Sequence, residues 1–231
     1  MHENFCVEDP NKHDIALLKL REQLDLSRYT PACLSEQAAK FTGREASVYG
    51  WGLEQPPTPS SCNETAFPSP GQSPVLRETM LKVISNAECE QGSGTRPSCA
   101  IDQWTMGESH VSYQGRIFDD MICAYKKGTD SCQGDSGGPL TVEDEGGRHT
   151  LIGVVSFGAG CARVSYATSR ITEYICLSQH FPKNVGMCMN KPFQDHPQEN
   201  LPGVYSSVPA QRGWIDQEIK RNGGGNLCGA G

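Results

Sequence analysis

Short apolar runs broken by turn residues dominate the chain. Residues 14–20, Asp14-Ile15-Ala16-Leu17-Leu18-Lys19-Leu20, form a nearly continuous apolar stretch of the kind a buried strand shows. Residues 46–52 end in Gly50-Trp51-Gly52, where glycines allow another backbone to come close. Residues 75–84, 121–125, 149–157 and 203–208 are further strand candidates. Pro56-Pro57, Pro70-Gly71, Gly146-Gly147 and Pro202-Gly203 supply turns between them. Many short strands with turns between them predict an all-β barrel or sandwich. One helix is predicted, over residues 211–222: Ile215 and Ile219 lie four apart among Glu218, Lys220 and Arg221, and Gly223-Gly224-Gly225 ends it.

Three stretches interrupt this pattern. Residues 54–73 are rich in Pro and Ser and carry the glycosylation sequon Asn63-Glu64-Thr65, which predicts an exposed loop. Residues 89–123 carry few strand signals, and residues 164–198 read as an insertion containing Cys176 and Cys188.

Composition narrows the class. The 231 residues carry a formal charge of −7, which gives no electrostatic case for nucleic acid or for an anionic membrane. No apolar run approaches the roughly 20 residues of a spanning helix. Eleven cysteines without a CxxC pair point to disulfides and an oxidising compartment rather than to zinc, and an odd count leaves at least one unpaired within the chain. Residues 1–9 have neither a basic region nor an apolar core, so no signal peptide is read there. The expectation is a fragment, or part of a larger precursor, of an extracellular protein whose export signal is not in this chain.

The chemistry concentrates in Asp130-Ser131-Cys132-Gln133-Gly134-Asp135-Ser136-Gly137-Gly138-Pro139-Leu140. Gly134, Gly137 and Gly138 let the backbone around Ser136 take a tight, unusual turn. A hydroxyl beside converging N–H groups is what acyl transfer requires: a nucleophile, and a hole for the developing oxyanion.

This segment resembles the nucleophile motif of the trypsin/chymotrypsin-like serine proteases. Asp14-Ile15-Ala16-Leu17-Leu18, Gly50-Trp51-Gly52, Asp120-Met121-Ile122-Cys123-Ala124, Val155-Ser156-Phe157-Gly158 with Cys161, Pro202-Gly203-Val204-Tyr205 and the helix of Trp214-Ile215 follow in that family's order. The resemblance implies a double β-barrel fold: a truncated first barrel with Asp14 over residues 1–32, a complete second barrel with the terminal helix over 33–222, and a tail over 223–231.

The resemblance also implies roles. Ser136 is the nucleophile, Asp14 orients a catalytic histidine, and the N–H groups of Gly134 and Ser136 form the oxyanion hole, as in the worked serine-protease triad. Asp130 lies at the floor of the specificity pocket, where a buried carboxylate favours a substrate Arg or Lys. Gly158 and Gly203 match the pocket walls, and the edge at Ser156, Phe157 and Gly158 pairs with the substrate backbone. Asp135 acts as an activation switch that pairs with a freed amine. Implied disulfides are Cys89–Cys123 and Cys132–Cys161. Cys176–Cys188 is local to the insertion, and Cys33 tethers an upstream pro-segment. Cys6, Cys62, Cys99 and Cys228 stay unassigned. The implied partners are a polypeptide substrate and a protein protease inhibitor, with no cofactor and no metal.

The chain departs from the family at one decisive point. The histidines are His2, His13, His110, His149, His180 and His196, and none stands in the family's Ala-Ala-His-Cys context. His13 adjoins Asp14, but neighbours on a strand point to opposite faces, so it is read as a surface residue. Phe157 stands where the family usually has Trp. Without its base, Ser136 is an ordinary alcohol at neutral pH, and the chain alone is expected to be inactive. Two functional classes remain: a trypsin-like endopeptidase cleaving after Arg or Lys, or a non-catalytic homologue acting as a binding module.

Overall fold

The computed structural model describes residues 1–35, 39–54, 72–99, 106–158, 161 and 201–224. In chain order its strands are β1 (Cys33–Leu34), β2 (Glu45–Gly50), β3 (Arg77–Ile84), β4 (Ser93–Cys99), β5 (Met106–Ser112), β6 (Met121–Tyr125), β7 (Pro139–Glu143), β8 (His149–Phe157) and β9 (Gly203–Ser207). Its α-helices are α1 (Asn86–Glu90) and α2 (Arg212–Arg221). The protein is all-β, in agreement with the trypsin-like architecture that the residues imply.

The sheet runs β1-β8-β7-β2-β3-β6-β9, and an added β8–β9 pairing closes six of these strands into a barrel. Antiparallel neighbours form the barrel, while β1 joins β8 in parallel. Closure is possible because β8 is nine residues long: its first part pairs with β7 and its last part with β9. Alternation fills the interior. On β2, Ala46 and Val48 are buried between less buried neighbours. Leu81, Leu140, Ile152 and Tyr205 are among the fully buried side chains at the centre. Below them, Val208 and Ile215 pack with Ile15 and seat α2 on the barrel.

Two expectations need correction. Residues 14–20 are not a strand; Ile15 alone is buried, and Leu18 is 91% exposed. Apolar content forms a strand only beside a partner, and no described strand pairs with this segment. Residues 89–123, read as poor in strand signals, contain the β4–β5 hairpin in addition to α1 and β6. Ser93-Gly94-Thr95-Arg96-Pro97-Ser98-Cys99 shows no apolar alternation, so the pairing is carried by the partner strand and not by pattern. The sequon at Asn63 and the insertion 164–198 lie outside the described residues.

Candidate active site

The Ser136 loop joins β6 to β7, and hydrogen bonds hold its backbone at residues 135, 137 and 138. Asp135 N–H donates to the Cys132 carbonyl (3.0 Å), Gly138 N–H to the Asp135 carbonyl (2.8 Å), and Gly137 N–H to the Val155 carbonyl on β8 (2.9 Å). Gly134 (φ +96°) and Gly137 (φ +83°) hold the left-handed conformations that flank Ser136. Gly134 and Ser136 are exposed, and neither N–H finds an acceptor among the described residues. Two donors and a hydroxyl are thus presented together to solvent.

The Asp135 carboxylate turns inward from the same loop. Its Oδ1 accepts the Gly52 N–H (2.7 Å) and its Oδ2 accepts the Cys132 N–H (2.8 Å). Such bonds to a carboxylate are stronger than neutral ones. A Cβ on Gly50 would fall 1.8 Å from Oδ1, so the bare backbone of Gly50-Trp51-Gly52 is what admits the carboxylate. Asp135 also lines a cavity of about 250 Å³ together with Gly50, Glu78 and Asp130.

Asp130 lies beside β9. A Cβ on Gly203 would stand 2.8 Å from its Oδ1 and 3.0 Å from the Tyr205 hydroxyl. Its Oδ1 accepts the Ser131 N–H (2.8 Å). Burial first, then the Asp130 charge, raises the Tyr205 phenol far above its usual range, so it stays a neutral hydroxyl. Gly158 faces Gly203: a Cβ on Gly158 would come 3.9 Å from the Gly203 Cα. The Cys132–Cys161 disulfide joins the Ser136 loop to the chain beyond Gly158, and Cys89–Cys123 joins α1 to β6. Cys33 is disulfide-bonded as well, whereas Cys6 is a free, exposed thiol. The Phe157 ring packs edge-on against Tyr113, with centroids 6.1 Å apart.

Asp14 meets the barrel at Ser156, whose Oγ donates to Asp14 Oδ2 at 2.6 Å. Ser156 falls where the β8–β9 register shifts between Val155 and Phe157. A bulge there re-aims a side chain out of the ladder, a common device beside active sites.

The structure thus gathers Asp130, Asp135 and Ser136 on one loop, with Gly158 and Gly203 opposite each other, and sets Asp14 on Ser156. It brings no imidazole into a hydrogen bond with Ser136 or Asp14 among the described residues. His149 Nδ1 lies 3.3 Å from the Thr141 hydroxyl. His13 needs a correction too. Read as a surface residue, it is half-buried: it stacks on His2 and meets Asp120 and Gln211. Residue pattern did not single out Ser131, Tyr205, Asp120 or Gln211, because each acts through a partner distant in the chain.

Comparison with known proteins points the same way. The trypsin family model matches residues 1–178. Hypodermin-A of Hypoderma lineatum is 35% identical over 166 residues, covering 72% of this chain and 52% of that protein. Trypsin alpha-4 of Lucilia cuprina is 32% identical over 204 residues (88% and 52%), and trypsin-1 of Astacus astacus is 37% identical over 169 residues (72% and 57%). The chain spans about half the length of these relatives.

Proposed function

This chain belongs to the trypsin family of serine proteases, and on that premise we propose that it carries the nucleophile and specificity half of an endopeptidase cleaving after Arg or Lys. The observation that carries this reading is the Ser136 loop. Its backbone is hydrogen-bonded on both sides, while the hydroxyl of Ser136 and the N–H groups of Gly134 and Ser136 are left unengaged by described residues. In this reading Ser136 Oγ attacks the scissile carbonyl, and the two N–H groups hold the oxyanion. The amine then leaves, and water releases the acyl group from Ser136.

Asp130 selects the substrate. A carboxylate set beside a buried phenol, at the end of a slot walled by Gly158 and Gly203, gains most from a cationic side chain. Gly158 and its neighbours on β8 offer a strand edge to the substrate backbone. Asp135 serves as the activation switch: its carboxylate borders a cavity in which an amine would find it together with Asp130 and Glu78. Asp14, held by Ser156, orients the base. Residues 1–231 present no imidazole to Ser136 among those described, so on this reading the isolated chain hydrolyses peptides slowly or not at all.

The division into a first-barrel remnant (1–32), second barrel (33–222) and tail (223–231) belongs to the same proposal, as does secretion. A polypeptide substrate and a protein inhibitor are the proposed partners. Because Cys33 already belongs to a disulfide, a pro-segment tethered there requires that bond to be exchanged.

A fluorophosphonate probe tests the reading. The native protein, isolated from its source, should be labelled at Ser136 by peptide mapping, and Ser136→Ala should abolish labelling. A native protein that stays unlabelled yet binds polypeptides would replace the hydrolase with a non-catalytic homologue.

A further inference from the structure

Asp14 sits in a segment with no strand partner among the described residues, yet its position is specified on both sides. On one side Ile15 is buried against Val208 and Ile215. On the other, the N–H of His13 donates to Asp120 Oδ2 at 2.7 Å, across 107 positions of sequence. His13 adopts φ +55°, which an L-residue holds only when its surroundings demand it.

The ring of His13 extends this anchor. It stacks on His2 with centroids 4.5 Å apart and planes 11° from parallel, and His2 in turn packs on Trp214 of α2 at 4.7 Å. Gln211 Nε2 lies 3.2 Å from His13 Nδ1, and the same amide donates toward Asp120 Oδ2 at 3.4 Å. Hydrogen bonding defines the protonation of His2. His2 Nδ1 accepts the Asn4 N–H at 3.1 Å. The His2 imidazole is therefore neutral in this arrangement, and its bond to Asn4 is lost when a proton arrives at Nδ1. His2 is 7% exposed, so a charge there would be poorly solvated.

We propose that Asp120 is a positioning residue for Asp14, and that the stacked His2–His13 pair makes this hold proton-sensitive. At neutral pH the pair and Asp120 clamp residues 1–15 onto α2 and the barrel. Acidification charges His2 face to face with His13, breaks its bond to Asn4, and loosens the segment that presents Asp14 to Ser156.

The groups facing the pair set the sign. Burial first, then the neighbouring His13 and the amine of Met1, disfavour the charged His2, while Glu3 and Asp120 favour it. Glu3 is itself held by Trp214 Nε1 at 2.8 Å. The net direction is downward from the ordinary value of 6.5. A cation held below its unfolded value contributes docking that is complete above that value and is lost as pH falls below it. Asp120 Oδ2 also lies 3.6 Å from His13 Nδ1, and Asp120 Oδ1 is buried without a partner among the described residues.

That the placement of Asp14 serves hydrolysis rests on the proposed function; the placement itself is read without turnover, so the two can fail separately. Amide hydrogen exchange of residues 1–20, corrected for intrinsic rates, is compared at pH 7.5 and 5.5. The wild-type segment should lose protection several-fold at pH 5.5 while β6 stays unchanged. His2→Phe, which still stacks but does not titrate, should stay protected at both values. Asp120→Ala should lose protection at both, and Asp120→Asn, which keeps an acceptor for the His13 N–H, should restore it at pH 7.5. A wild-type segment equally protected at both values overturns the inference, as does a loss that persists in His2→Phe. If Asp120→Ala unfolds the barrel, seen as exchange of β6, the His2→Phe and Asp120→Asn arms decide.

Discussion

At Asp135 two backbone donors and two glycines converge on one carboxylate, and the arrangement is unforgiving. Gly50→Ala would place a methyl 1.8 Å from Oδ1 and expel the side chain. The expected cost is about 2–4 kcal/mol, because a charged acceptor loses its backbone partners. Urea unfolding measures it, and exchange at Gly52 and Cys132 locates it. Asp130 offers a second test at this scale. If it receives the substrate cation, benzamidine should bind the protein, and Asp130→Ser should weaken that binding by roughly 30-fold or more. Isothermal titration that finds equal affinity in both forms would remove Asp130 from substrate recognition. Gly-Asp-Ser-Gly-Gly stands out in sequence because its parts are contiguous. Tyr205 and Ser131 do not, because what they contribute depends on a neighbour brought in by folding.

Elements with their own periodicity were legible, and those defined by a partner were not. The predicted strands over 121–125 and 149–157 match β6 and β8 residue for residue, and the helix over 211–222 matches α2 to within a residue at each end. These segments bury whole faces, so pattern and structure agree. By contrast, α1 is five residues long, too short for periodicity, and is marked chiefly by its cap, in which Ser85 Oγ accepts the Glu88 N–H. The strand β7 opens on Pro139, which is tolerated at a first strand position. The link between elements that matters most for the candidate site is Cys132–Cys161, which closes a loop of 29 positions between the Ser136 loop and the chain just beyond β8. Replacing both cysteines by alanine should lower stability by roughly 3–4 kcal/mol. Chemical denaturation gives the total, and exchange should rise first at residues 131–138. A uniform rise would mean that the bond steadies the barrel and not the loop.

For the whole molecule, closure of the β8–β9 seam decides where everything else lies. It brings the loop before β7 and the start of β9 to one end of the barrel, where Gly158 meets Gly203. Outside the barrel, Leu18, Leu20, Leu24, Leu26 and Tyr29 are each more than half exposed. Apolar groups gathered on one segment favour association. Sedimentation should therefore show concentration-dependent self-association of the isolated chain, reduced when Leu18 and Leu24 are replaced by Lys. A strictly monomeric chain at high concentration would count against that. The sequence by itself determined the all-β class, the glycine-framed serine and the main barrel strands, because each is written in adjacent residues or in a short period. Only the tertiary structure decided that Asp14 would rest on Ser156 across 142 positions, that Asp120 would hold His13 across 107, and that residues 14–20 would stay outside any sheet. Such contacts depend on how strands pair and where the barrel closes, and a strand's partner is a property of the assembled sheet, not of the strand.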